Sequence, residues 1–185
     1  MIDLKTLFVP FLNKFQGQWK KDDESEWIEF QTKQFVIQIE PFVYYESNVI
    51  HIEIFYSFSH IELAKIANLI MQDDVNNFIS IHYGQIETRC FDIDEICQIF
   101  EMELQKIISK TNDYTINYLI DKYQSYYRER PSMAQILHLS VLVLLKDFVT
   151  LFDYYQSMKN GNNIGFVPMI TLEMIDNAVN LALIK

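Results

Sequence analysis

His51, Glu53 and His82 are the first residues whose types could do chemistry together. His51 and His82 sit on two strand-like stretches, and Glu53 stands two residues beyond His51. If those strands pair, the three side chains cluster, and two histidines with a carboxylate form a zinc donor set. The close paired spacing of a strong zinc motif is missing, so a solvated sheet face is the plainer reading and no metal is assigned. His60 falls at a helix start. His138 lies in an apolar helix, where a hydrogen-bonded core histidine is expected. Cys90 and Cys97 are not spaced as a CxxC pair. A nucleophilic cysteine needs a base and an orienting group beside it. Nothing around these two supplies them, so buried inert thiols are expected.

Carboxylates gather at Asp22, Asp23, Glu24 and Glu26, at Asp73 and Asp74, at Asp92, Asp94 and Glu95, and at Glu101 and Glu103. Paired carboxylates can hydrolyse glycosides, and sets of them bind calcium. Asp92 to Glu95 lacks the glycine and distal glutamate of a calcium loop. It reads as helix-start charge that complements the dipole. The first cluster reads as a surface loop whose acids would suit a basic partner. Tyr114, Tyr118, Tyr123, Tyr126 and Tyr127 crowd together before Arg128. Tyrosine is enriched at interfaces because it offers area with a polar tip; the rival reading is that these rings cover the apolar helix after Pro131. The candidate partner-binding set is therefore Asp22, Asp23, Glu24, Glu26, Tyr123, Tyr126 and Tyr127. No catalytic residue and no cofactor is assigned, since no phosphate loop, dinucleotide loop, nucleophile elbow or paired-histidine zinc motif occurs.

The elements that must position these residues follow from periodicity. Leu4, Leu7, Phe8, Phe11, Leu12 and Phe15 recur at helical spacing, with Pro10 inside. Gln16 to Glu26 reads as a loop. Strands are expected at Trp27–Thr32, at Gln34–Tyr45 with Pro41 disturbing it, and at Val49–Phe58. In the last, Ile50, Ile52, Ile54, Tyr56 and Phe58 face one way, and Val49, His51, Glu53, Phe55 and Ser57 the other. Such alternation marks a half-buried antiparallel sheet. Ser59 with Glu62 suggests a capping box for a helix ending near Gln72. Phe78–Tyr83 and Gln85–Phe91 suggest a hairpin around Gly84. Helices then cover Ile96–Ile108, Tyr118–Tyr126, Met133–Met158 and Leu172–Ile184. The expected fold is α+β: helix, three strands, helix, two strands, helix, then a C-terminal helical extension. The five strands form one antiparallel sheet. Residues 1–128 are expected as one domain, with 129–185 packed on it as a single compact unit.

Composition bounds what such a fold can do. The chain has 185 residues, half of them hydrophobic and 15% aromatic. That is enough to bury a core without disulfides or metals and excludes a disordered chain. The net charge of −10 argues against nucleic-acid binding and for a basic partner. The start, Met1 to Lys5, lacks the pattern of a secretory leader. The longest charge-free apolar run, Pro131 to Leu145, is short of a membrane span. A reducing cytoplasm is the expected location.

The order of elements up to residue 128 resembles the type III secretion chaperone-like fold shared with YbjN-like proteins. The strand Val49–Phe58 running into Ser59-His60-Ile61-Glu62-Leu63 carries the resemblance. So do Ile79-Ser80-Ile81-His82-Tyr83 and Thr88-Arg89-Cys90-Phe91, which lead into the Ile96–Ile108 helix. The resemblance implies a non-catalytic, acidic cytoplasmic protein that holds another polypeptide. The expected function is an immunity protein that occludes a cognate secreted toxin or effector. The alternatives are a secretion chaperone and, in another class, a small enzyme or ligand-binding domain on the polar sheet face. The expected partner is a basic protein, not nucleic acid or membrane, and a homodimer stays open.

Overall fold

The computed structural model describes residues 4–23, 25–74, 76–125 and 131–184. Five antiparallel strands run in the order β1-β2-β3-β4-β5: β1 Gln18–Lys21, β2 Glu26–Gln31, β3 Phe35–Glu46, β4 Val49–His60 and β5 His82–Cys90. Seven helices accompany them among the described residues: α1 Leu4–Phe15, α2 Ile61–Met71, α3 Ile93–Lys110, α4 Ile116–Tyr123, α5 Ser132–Leu144, α6 Phe148–Lys159 and α7 Leu172–Ile184. The α+β class and the five-stranded antiparallel sheet are as the periodicity predicts.

The order of strands differs from expectation: four precede α2 and one follows it. Gln18–Lys21, read as loop because of its polarity, pairs with β2 from Gln18↔Glu29 to Lys21↔Glu26. The expected hairpin at Gly84 is one continuous strand. Gly84 lies opposite Tyr56, and a Cβ there would meet the Tyr56 ring at 2.3 Å. Glycine is thus required for the close approach of a ring, not for a turn. Pro41 does not interrupt β3; it is buried opposite Ile54. The β3–β4 turn uses Ser47 and Asn48, both at positive φ. Two such residues give the turn type whose twist matches a hairpin. Ser59 does not stand at the residue before α2 as expected, because β4 continues through His60 and α2 begins at Ile61.

The contacts divide the chain into two compact units, residues 1–60 with 80–113 and residues 61–79 with 114–185. This is not the expected boundary at residue 128. Residues 61–79, which carry α2, and residues 114–125, which carry α4, cluster with the later helices.

In the first unit, even-numbered residues of β4 and odd-numbered residues of β3 point to one face. Ile50, Ile52, Ile54, Phe58, Ile37 and Ile39 are buried there. α1 and α3 supply Phe8, Ile96, Phe100 and Leu104 to the same core. The Phe8 and Phe100 rings meet at 4.1 Å. Each fully buried residue of this size contributes roughly 1.5–3 kcal/mol.

In the second unit, α5 is the central helix and touches α2, α4, α6 and α7. Its residues from Gln135 to Val143 are all buried. The buried polar groups among them are satisfied. Gln135 Oε1 accepts from the Val167 amide at 3.0 Å, and Ser140 Oγ donates to the Ile136 carbonyl at 2.8 Å. The expected long helix Met133–Met158 is two helices. Lys146 takes a left-handed φ of 56°. The amides of Lys146 and Asp147 then donate to Val143 and Leu142, which is a Schellman stop. Asp147 accepts from the Thr150 amide and so caps α6.

Candidate functional site

Strand alternation that buries one face of the sheet leaves the other lined by β3 Gln38, Glu40, Phe42 and Tyr44 and by β4 His51, Glu53, Phe55 and Ser57. β5 adds Tyr83, Gln85, Glu87 and Arg89. Phe42, Phe55 and Tyr83 form a diagonal row across the three strands. Phe42 meets Phe55 edge-on at 5.6 Å, and Phe55 lies stacked with Tyr83 at 6.2 Å. Phe42 is 49% exposed and Tyr83 62%, so the outer rings of the row are offered to solvent.

Carboxylates border the rings. Glu40 lies opposite Phe55, Glu53 opposite Phe42, and Glu53 directly opposite Glu87. Glu29 and Glu46 extend the acidic border, against Lys20 and Arg89 on the same face. Tyr44 stacks on His51 at 5.0 Å and donates to Glu53 Oε1 at 2.9 Å. That hydrogen bond to a carboxylate raises the phenol pKa above its ordinary value. His51 Nε2 stands 3.5 Å from Glu46. A shallow hollow of about 250 Å³ lies along the row, with Gln38, Glu40, Phe42, Phe55, Ser57 and Tyr83 in its wall.

His51, Glu53 and His82 are not brought together. His51 pairs with Arg89, while His82 pairs with Phe58 at the far end of β4. His82 also shares the core face with Phe58, whose ring lies 5.3 Å away. Pairing in that register therefore separates the two histidines both along the strand and across the sheet. Among the described residues no group of histidine, cysteine and carboxylate could hold a metal. Cys90 is buried and Cys97 half-buried, and neither is held in a disulfide. Burial, with Glu95 nearby, pushes the Cys90 pKa up, the direction opposite to activation.

The candidate partner residues fare unevenly. Asp22 sits at the β1–β2 turn, where its Oδ1 accepts from the Ser25 amide at 2.7 Å and the Ser25 hydroxyl at 3.2 Å. It closes its own turn. Asp23 is exposed beside it. Glu26 is engaged locally, by Lys21 at 2.7 Å and by the Trp19 indole N–H at 3.1 Å. Tyr123 is only 5% exposed and is therefore core, not contact; its carbonyl accepts from His138 at 2.7 Å. Glu24, Tyr126 and Tyr127 lie outside the described residues.

Sequence reasoning missed Phe42, Phe55 and Tyr83. The signal for Phe55 was present: a large ring on the polar side of an alternating strand. Tyr83 was hidden by the misread hairpin, and Phe42 by the expected break at Pro41.

No helix among the described residues is long and apolar enough to cross a membrane. No curated protein and no solved structure matches the chain. A family model does, over residues 3–183, and by that match the chain belongs to a family of unknown function, DUF6990.

Proposed function

We propose that the chain is a non-catalytic binding protein of the bacterial immunity kind, which captures a basic toxin or effector on the open face of its sheet and occludes it. The observation that carries this reading is the exposed row Phe42, Phe55 and Tyr83 bordered by Glu40, Glu53 and Glu87. Aromatic centres with polar rims are the usual anatomy of protein contacts. Like charges directly opposite on a sheet cost stability, and Glu53 faces Glu87. A cationic surface laid on that face would remove the repulsion, as electrostatic complementarity requires. The net charge of −10 would steer such a partner inward. The place of action is the reducing cytoplasm, where Cys90 and Cys97 remain thiols.

A secretion chaperone, the other role suggested by the chaperone-like resemblance, holds an unfolded client along apolar surface. Alternation of rings with carboxylates suits a folded basic surface better. The enzyme alternative needed His51, Glu53 and His82 on one face, and His82 lies on the other.

The test is co-expression with candidate basic toxin domains drawn from the genes that neighbour this one. Cells should survive only with the wild-type chain. Phe55→Glu with Tyr83→Glu should abolish both protection and complex formation while the chain stays folded by circular dichroism. Protection that is indifferent to this double change would remove the open face from the account.

A further inference from the structure

The hollow beside the aromatic row has a composition that names its occupant. Its wall is formed by Phe42, Phe55, Tyr56 and Tyr83, one carboxylate, Glu40, and the polar Gln38 and Ser57; Tyr56 belongs by strand alternation to the core face, so the rings offered to the hollow are the other three. No lysine or arginine is among the lining residues. Gln38 donates its amide N–H to Glu29 at 3.3 Å, so its side-chain oxygen is the end left to accept a bond. The one charged group in the wall is thus a carboxylate, and beside it stand π faces and hydroxyl and amide oxygens able to accept. The hollow's volume of about 250 Å³ falls below the roughly 300–1,000 Å³ of ordinary small-molecule sites. A side chain fits that scale better than a cofactor.

We infer that this hollow is a receptor for a single cationic side chain, lysine or arginine, projecting from the bound polypeptide. The inference rests on the proposed protein-binding role and deepens it by naming what the face recognises. Cations are attracted to aromatic faces by the ring quadrupole, by about 0.5–1 kcal/mol at exposed sites. A carboxylate beside the rings adds a charge-assisted hydrogen bond. The methylene stem of lysine or arginine would cover ring surface while its head meets Glu40. Anionic groups gain neither term, and a neutral donor gains only the bond to Glu40, without the cation–π attraction or the attraction between opposite charges. The hollow is thus selective by charge, and the row of rings is selective only for area.

The experiment uses the full chain and small probes. Aromatic-region NMR follows titration with n-butylammonium and n-butylguanidinium chlorides, against n-butanol and against sodium chloride at matched ionic strength. Expected are saturable shifts at Phe42, Phe55 and Tyr83 with both cations, with dissociation constants in the millimolar range or weaker. Butanol and sodium chloride should give neither. Glu40→Gln keeps the shape and should weaken the cations at least about 2–5-fold, the equivalent of one exposed contact. Tyr83→Leu keeps an apolar wall without a π face and should weaken them by a similar factor. Equal shifts with butanol, or cation binding unchanged in both variants, would overturn the inference. The two claims fail separately. A partner captured through Phe55 and Tyr83 with no response to the cations sinks the receptor and leaves the binding face. Cation binding to a chain that protects against no partner sinks the immunity reading and leaves the receptor.

Discussion

His138 is held by both ring nitrogens. Nδ1 lies 2.7 Å from the Tyr123 carbonyl, which can only accept, so Nδ1 carries the proton. Nε2 is then the acceptor for the Tyr154 hydroxyl at 3.2 Å. The side chain is 3% exposed, and burial lowers its pKa below the ordinary 6.5, partly opposed by the Tyr123 bond and by Asp147. Above that ordinary value both folded and unfolded chains hold the ring neutral. As the pH falls through 6.5 the unfolded chain takes up a proton that the folded chain refuses, so stability declines until the folded pKa is passed. Urea unfolding at about pH 7.5 and about pH 5.5 should show a drop that is smaller in His138→Gln. The other three histidines are common to both proteins and cancel. An equal drop in both would mean that His138 contributes nothing to acid sensitivity.

At the scale of elements, three helices in this chain stop without glycine, whereas α6 ends on Gly161 at a φ of 81°. Gln16, Gln72 and Lys146 all take positive φ just past α1, α2 and α5. After each, a chain-reversing bond returns to the last turn: Gly17 to Leu12, Asp73 to Asn68 and Asp147 to Leu142. With four glycines in the whole chain, the usual mark of a helix end is scarce. That is why Met133–Met158 reads as one helix and folds as two. A left-handed backbone is costly for a residue with a Cβ. Lys146→Gly should therefore stabilise the chain by ~0.5–1 kcal/mol, after the glycine's own entropy is deducted. Its melting temperature should rise by roughly 1–4 °C. A lowered melting temperature would show that the Lys146 side chain supplies more than its backbone strain costs.

For the whole molecule the governing quantity is charge. Steered association should slow as salt rises. The Asp22 turn is a poor place to test this, since Asp22 closes its own hairpin. The open face is better. Glu46→Lys with Glu87→Lys should slow association with a basic partner severalfold and change dissociation less, because rim charges act mainly on encounter. The same change removes the Glu53–Glu87 opposition and should raise stability by about 0.2–1 kcal/mol. Stopped-flow binding and thermal melting on one protein sample read both effects. An on-rate that ignores both salt and the double reversal would exclude electrostatic capture by this face.

Period-two alternation by itself determined which residues of Val49–Phe58 are buried, because a pleated strand leaves side chains no other choice. Apolar density likewise determined the burial of Gln135 to Val143, and spacing gave the last helix, Leu172–Ile184, at its observed bounds. Tertiary structure alone decided what depends on pairing register. Whether His51 meets His82, whether Gly84 turns or lies under Tyr56, and which rings align across strands are all set by which residue faces which. That information is carried by contacts between segments far apart in the chain, and no local pattern encodes it. The acids at Asp22 and Glu26 were conspicuous in sequence but are occupied by their own hairpin. The row Phe42, Phe55 and Tyr83 was scattered in sequence and exists only because β3, β4 and β5 lie side by side.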